Sequence, residues 1–426
     1  MELPMLNRKR PLFDGFEKEP SLNTKKCLAS LKTLLDRLDR ARPRTSCGRS
    51  CIPECCFNGG TKHPTDTKCF FEQISSWACT QYSVNKALEH LKIRQTNDDV
   101  LLDDSVNKKF LEFHRDITEE FGVEDKQHSW AVIEKQEEIV IYGPYYPNYN
   151  NGEHSEDIII KQTQELLESE AVTEDWQVYV FTMNSPCLAR NTEPCMLNLV
   201  QKAQEWWSVQ GVKTHIGYVK CWGFKGSKEN LFRDINYTQV NCIDQTEDHE
   251  SYIRAAQRTA DLNPLCENLF SAVKQLLRSV SFPSINTVQD QDWKSYFKSM
   301  HSISPEDKNF TLEVNSIIEA AQSLLSEKSG SLEQCLEKGR AFAVGHTFGS
   351  HVSDAIQGQI RLAFQQCWKE MVQDKYAEFI REKLTEDFNQ STVQLFIKDV
   401  VKFTKQYLQI GRIQFAEEDS KDPQAV

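Results

Sequence analysis

Four side chains near the middle of the sequence have the types and the order of a metal-dependent catalytic site. They are His154 and Glu156, separated by one residue, followed by Cys187 and Cys195. One imidazole and two thiolates can hold Zn²⁺ while a fourth coordination position stays open for water. Water bound to zinc ionises at a pKa of about 7, and a carboxylate beside it can carry the proton that the water loses. These residue types therefore predict a site that generates hydroxide at neutral pH.

Hydrophobic patterns indicate the elements that must position these residues. An apolar helical pattern over 158–167 puts His154 at the start of a helix. The run over 176–181 is typical of a strand, and it leads into a Ser-Pro-Cys turn at 185–187. A second helix is predicted over 195–207. Both helix starts would direct their positive dipole ends at the site, which favours thiolates and hydroxide.

Further strands and a helix surround this pattern. A helix is predicted over 105–121, ending at Gly122, and strands are predicted over 130–135, 139–142 and 215–220. The sheet is expected to finish near Asn241. Mostly helical patterns follow, so we expect an α/β unit and then an all-α domain.

The segment from Phe181 to Cys187 resembles the strand and Ser-Pro-Cys turn of AID/APOBEC deaminases. That family carries His-x-Glu on one helix and its cysteines at the start of the next. The resemblance extends from about Trp130 to Phe224. One departure is that seven residues separate Cys187 from Cys195, a longer spacing than the family's motif has.

The resemblance implies a fold, a cofactor and a role for each motif residue. The fold is a cytidine-deaminase-like α-β-α sandwich, in which helices flank a five-stranded mixed sheet. His154, Cys187 and Cys195 would hold Zn²⁺, and Glu156 would move protons without being a ligand. The implied reaction is hydrolytic deamination of cytosine to uracil in single-stranded DNA or RNA, in an immune or editing role.

A second set of residues is expected to bind the base. In the family, the loop after the fourth strand helps to select the base, and here residues 221–228 alternate aromatic with basic side chains. Tyrosines before the histidine motif would form the opposite wall. The candidate substrate-binding residues are Ser185, Pro186, Tyr142, Tyr145, Trp222 and Phe224. The alternative for Trp222 and Phe224 is that they cap the hydrophobic core.

Two other functions stay open. The chain carries a formal charge of −12, and an acidic body repels a polyanion. A free cytidine nucleoside or nucleotide is therefore an alternative substrate. A non-catalytic zinc-containing interaction protein, with a protein partner on the helical domain, is the other alternative.

The chain is long enough for several domains. We expect a basic, mostly disordered arm over 1–46 with one amphipathic helix, and a Cys-rich loop with a helical segment over 47–100. The deaminase domain would occupy 101–282 and the helical domain 291–426. The Cys-rich loop is either a second metal site or a cluster of reduced thiols.

The start of the sequence lacks the apolar segment of a secretory signal, and no run is apolar enough to span a membrane. We therefore expect a cytoplasmic or nuclear protein that does not engage membranes. On that basis the 14 cysteines are interpreted as thiols or ligands. Three Asn-x-Ser/Thr patterns, which begin at Asn236, Asn309 and Asn389, are interpreted as chance matches.

Overall fold

The computed structural model describes most of the chain from residue 74 to residue 415. The residues left out of that range are 75, 78–79, 94–98, 124–125, 137, 170–174, 191–192, 225–231, 256–263, 283–292, 303–307, 326–330 and 351. The predicted amino-terminal arm and all but the last part of the predicted Cys-rich segment lie outside the described residues.

A five-stranded mixed sheet forms the centre of the fold. Its strands, in chain order, are β1 (Ser129–Glu134), β2 (Ile139–Tyr145), β3 (Gln177–Asn184), β4 (Lys213–Lys220) and β5 (Leu408–Arg412). The spatial order is β2-β1-β3-β4-β5. Strand β1 is antiparallel to β2 and to β3, whereas β3, β4 and β5 run parallel.

Helices cover both faces of this sheet. The described helices before β5 are α1 (Thr80–Ile93), α2 (Asp104–Phe121), α3 (Ser155–Ser169), α4 (Cys195–Gln210), α5 (Tyr237–Gln245), α6 (His249–Ala255), α7 (Pro264–Ser279), a 3₁₀ helix (Trp293–Ser302), α8 (Lys308–Ala320), α9 (Gln322–Leu325), α10 (Leu332–Gly345) and α11 (Asp354–Thr404).

The two faces have separate hydrophobic cores. Helix α2 packs Phe110, Phe113 and Ile117 against Trp130 and Phe181 of the sheet. On the opposite face, the apolar side chains of α3 and α4 pack against the alternate residues of β1 and β3. Burial on both faces explains why β3 has an almost continuous apolar sequence. The predicted α-β-α sandwich with a five-stranded mixed sheet and an added helical part is confirmed.

The fifth strand comes from an unexpected part of the sequence. We predicted that the sheet ends near Asn241, but β5 lies at 408–412, inside the segment predicted to be helical. Helices α5 to α11 are therefore placed in the chain between two neighbouring parallel strands. The strand sequence Leu-Gln-Ile-Gly-Arg is short, and its partner β4 is distant in the chain, so no local pattern reveals the pairing. The domain boundaries themselves stay predictions.

Helix α11 has 51 residues, which corresponds to a length of about 75 Å. Its first half buries Phe364, Trp368 and Met371 in a second core that is formed mainly by helices. Its second half buries Phe388 and Phe396 in the core that covers the sheet. One continuous helix thus joins the helical part to the α/β part.

Among the described residues, no helix combines the length and the apolar character that crossing a membrane requires.

Candidate metal centre

His154 lies directly before α3, as the sequence predicted. Its backbone N–H donates to a carboxylate oxygen of Asp157 at 2.9 Å. A side chain of the first turn thus caps the start of the helix. The backbone of Asn148 pairs with that of Glu153 just before the histidine. This paired loop sets the point at which the chain enters the helix.

Cys187 lies in the loop that follows β3, and Cys195 is the first residue of α4. The N–H of Cys195 donates to Sγ of Cys187 at 3.5 Å, and the N–H of Met196 donates to the carbonyl of Cys187 at 3.1 Å. The start of α4 is therefore folded directly onto the first cysteine. Both cysteines are buried, at 3% and 0% exposed.

The three predicted ligands converge. Nδ1 of His154 lies 3.7 Å from Sγ of Cys187 and 3.3 Å from Sγ of Cys195. All three ligand atoms lie within 4.8 Å of one another, and among the described residues they form a cluster that could hold a metal ion. The long connection between the cysteines does not separate them.

The ionisation of the cluster is set by its internal hydrogen bonds. A hydrogen bond from the Cys195 thiol, followed by that with His154, holds the pKa of Cys187 well below its usual range. The same contact with Cys187 raises the pKa of His154 above its usual value. The Cys187 thiolate raises the pKa of Cys195, and burial adds to this shift. These contacts therefore favour the thiolate form of Cys187, which is the form in which cysteine binds a metal ion.

Glu156 is buried beside the cluster, at 3% exposed. Its Oε2 accepts a hydrogen bond from Ser155 at 3.2 Å, and the Ser155 hydroxyl lies 2.7 Å from that of Ser129 on β1. Burial is the largest reason why the pKa of Glu156 rises to about 7, and the nearby Cys187 thiolate adds to it. The carboxyl group is thus held by a fixed chain of hydroxyl groups and is poised to exchange protons near neutral pH.

The predicted base-binding residues occupy different environments. The hydroxyl of Ser185 accepts from the N–H of Trp222 at 2.9 Å, which ties the Ser-Pro-Cys turn to the end of β4. Ser185 and Pro186 are buried, and Trp222 is half-buried. Tyr145 is half-buried and is paired with Ser129 across the β1–β2 ladder.

Two of the predicted aromatic residues make structural contacts. Phe224 is 3% exposed, and its ring stacks on that of Phe388 with 6.0 Å between ring centroids. The alternative that Phe224 caps the core is therefore the better interpretation. The Tyr142 hydroxyl lies 2.6 Å from that of Thr163 on α3, and burial raises its pKa. Tyr142 thus anchors α3 to the edge strand.

Helix α11 supports the loop that carries the first cysteine. Gly223 has a φ of +64°, and its carbonyl accepts from the N–H of Leu188, next to Cys187, at 3.1 Å. A Cβ added to Gly223 would lie 2.5 Å from Oδ1 of Asn389 and 2.8 Å from its Cα. The helix backbone therefore approaches this loop so closely that only glycine fits.

Comparison with known families agrees with this geometry. A family model described as Secreted Novel AID/APOBEC-like Deaminase 3 matches residues 38–410. The chain belongs to this family. Neither a curated protein nor a solved structure matches it significantly. The resemblance stated from the sequence is thereby confirmed, and the match includes both the sheet and the inserted helices of this AID/APOBEC-like deaminase.

The family description corrects the expected location. It names secreted deaminases, so the prediction of a cytoplasmic or nuclear protein is wrong. That prediction rested on the sequence of the first residues, which was a weak basis. The interpretation of the three Asn-x-Ser/Thr patterns as chance matches rested on it too and stays an untested prediction. Cys187 and Cys195 of the cluster are free thiols.

Sequence reasoning missed three residues that hold the centre together. They are Asp157, Arg190 and Ser129, and they act through hydrogen bonds to the motif residues or to each other. Asp157 offered a signal, because an acidic residue in the first turn of a predicted helix often caps it. Arg190 and Ser129 offered none, because their partners are distant in the sequence.

We predict that Gly223→Ala destabilises this deaminase more than Gly211→Ala does. Both glycines have positive φ, at +64° and +73°, so each alanine suffers backbone strain of about 1–3 kcal/mol. A Cβ at Gly211 meets nothing within 4 Å, whereas the one at Gly223 collides with α11. Overpacking should cost Gly223→Ala roughly a further 1–3 kcal/mol. Thermal unfolding followed by circular dichroism measures both, and equal losses of Tm would contradict the contact.

Proposed function

We propose that this protein is a zinc-dependent cytosine deaminase. The observation that carries the proposal is the convergence of His154, Cys187 and Cys195 beside the buried carboxyl group of Glu156. Membership of an AID/APOBEC-like deaminase family supports the reaction class. These are the residue types that zinc-dependent deamination of a nucleobase uses.

The donor set fits zinc. Zn–N and Zn–S bonds of about 2.0 and 2.3 Å at tetrahedral angles imply N···S separations near 3.5 Å. The two N···S separations in the cluster are 3.7 and 3.3 Å. Three protein ligands leave one position for water, and bound zinc would supply a hydroxide nucleophile at neutral pH.

Glu156 would move the protons of the reaction. It would accept a proton from the attacking water and deliver protons to the ring nitrogen and to the departing ammonia. Burial is the largest reason why its pKa is raised, and a raised pKa favours the protonated form that donates to the departing ammonia. Ser155 and Ser129 would keep the carboxyl group oriented during the reaction.

The substrate we propose is cytosine in a single-stranded nucleic acid. Trp222 and Tyr145 are each half-buried, and their aromatic faces suit stacking on a base. Ser185 and Pro186 would form the floor of the pocket beside Cys187. The formal charge of −12 favours the alternative of a free cytidine nucleotide, so both substrates belong in the assay.

The first prediction of this proposal concerns metal content. Replacement of His154, Cys187 or Cys195 by alanine should each remove one equivalent of zinc, because three ligands are the minimum for such a site. Cys221→Ala is the matched control, since this cysteine is half-buried at the end of β4 and outside the cluster. Elemental mass spectrometry of the purified full chain measures the loss. Unchanged zinc content in the Cys195 variant would contradict the ligand set.

The second prediction concerns turnover. Glu156→Gln should retain zinc but lose deamination by about 10²- to 10⁴-fold, because the amide cannot transfer protons. Glu153→Gln, a change of the same type three residues earlier, should stay near wild-type activity. Conversion of cytosine to uracil is measured on cytosine-containing oligonucleotides and on free cytidine.

The substrates that are converted distinguish the proposal from its alternatives. Turnover of oligonucleotides that depends on Glu156 supports it, and turnover of cytidine alone selects the nucleotide alternative. Zinc-loaded protein that deaminates neither substrate would indicate a non-catalytic interaction protein.

A further inference from the structure

The connection between the two cysteines is held by an ion pair. Arg190 lies in this connection, and its guanidinium donates to both carboxylate oxygens of Asp157 at 2.7 and 2.9 Å. Its Nε donates to the backbone carbonyl of Glu193. The arginine therefore ties its own loop together two residues before Cys195 and joins that loop to helix α3.

Asp157 continues the link to the histidine. The same carboxylate that accepts from Arg190 also accepts from the backbone N–H of His154 at 2.9 Å. A continuous set of polar contacts thus runs from the backbone of His154, through Asp157 and Arg190, to the residues that lead into Cys195. It joins two of the three proposed ligands independently of any ion.

The geometry distinguishes this pair from ordinary surface ion pairs. The side chains of Arg190 and Asp157 are 14% and 22% exposed, and the contact is bidentate. By contrast, Lys161 and Glu165 on the same helix are 73% and 56% exposed and lie 4.0 Å apart. A pair of that exposed kind contributes little to stability.

We propose that Arg190 and Asp157 are positioning residues that bring Cys195 within bonding reach of the metal despite its long separation from Cys187. Without the pair, the seven intervening residues would have more conformations to lose before Cys195 could bind. The inference rests on the proposed zinc site. It explains how a chain with a longer Cys187-to-Cys195 spacing than the AID/APOBEC motif can still bring both cysteines to the proposed zinc site.

We call the Arg190–Asp157 ion pair, in this positioning role, the clamp. Zinc affinity of the full chain, measured by competition with a chromogenic chelator, tests it. Arg190→Ala and Asp157→Ala should each weaken zinc binding by about 10- to 100-fold, as is usual for residues that orient ligands. The double variant should lose less than the sum of the two single losses, because the ion pair is already removed in each single variant. Arg190→Lys should recover part of the loss, and Lys161→Ala should stay within about twofold of wild type.

The outcomes separate the clamp from the site itself. A wild-type chain that binds no zinc at the cluster overturns the proposed function. Tight zinc binding by wild type and by Arg190→Ala alike overturns only the clamp. Additive losses in the double variant would also overturn it, because the two residues would then act separately. Thermal unfolding of each variant with zinc removed shows whether a loss of affinity merely follows from a loss of fold.

A different observation concerns the three Asn-x-Ser/Thr patterns. Asn389 is 3% exposed within α11, and Asn236 is half-buried with its Oδ1 accepting from the N–H of Gln239 in a helix cap. Asn309 is exposed in the first turn of α8. Among these three asparagines, Asn309 is the exposed one.

We infer that Asn309 is an N-glycosylation site. The family description of a secreted deaminase puts the chain in the compartment where a lipid-linked oligosaccharide serves as donor. A bond would form between the amide nitrogen of Asn309 and the anomeric carbon of the sugar. The bond from that carbon to the lipid diphosphate breaks, the diphosphate leaves with the electron pair, and the amide nitrogen releases one proton.

Expression of the full chain in a eukaryotic secretory cell line tests this site. The protein recovered from the medium should lose mass when treated with an amidase that removes N-glycans. Asn309→Gln and Thr311→Ala should each abolish that loss, and Asn236→Gln should leave it unchanged. A loss of mass that persists in both Asn309→Gln and Thr311→Ala, or an unglycosylated wild-type chain in the medium or inside the cells, would overturn the inference.

Discussion

The contact between His154 and the two cysteines is the interaction on which the functional architecture depends. Three ligand atoms from separate parts of the chain lie within 4.8 Å of one another. Each is carried at the end of a regular element, since His154 precedes α3, Cys187 follows β3 and Cys195 begins α4. The site therefore forms only when the sheet and both helices are in place. Its location beyond the carboxyl end of a parallel strand is typical of α/β folds.

The inserted helices support this site as well as extending the fold. Helix α11 contributes to the helical core and to the core over the sheet, and it contacts Gly223 beside the loop of the first cysteine. The chain then returns to the sheet as β5, parallel to β4. One helix thus packs into both cores, and its second half belongs to the scaffold of the proposed metal centre.

Local patterns in the sequence were sufficient for most of the sheet. The resemblance to AID/APOBEC deaminases named His154, Cys187 and Cys195 as candidate ligands, and the structure brings these three side chains together. Gly122 ends α2 in the left-handed conformation, as its position after the apolar stripe predicted. Strand β5 and the pair of Arg190 with Asp157 could not be predicted, because each depends on partners that are distant in the chain. The core position of Phe224 also depends on a distant partner, Phe388. The prediction of a cytoplasmic or nuclear location was wrong, because it used only the first residues of the sequence.

X-ray absorption at the zinc edge of the purified full chain is the most direct test of the proposed centre. The cysteines between residues 47 and 69, which form a second candidate zinc site, are first replaced with serine. We then predict a single zinc environment. It should contain two sulfur ligands at about 2.3 Å and two nitrogen or oxygen ligands at about 2.0 Å. Loss of the zinc signal in Cys187→Ala and in Cys195→Ala would agree with this assignment. Absence of zinc from the chain that keeps all three ligand residues, or a spectrum that the Cys187 and Cys195 variants leave unchanged, would contradict it.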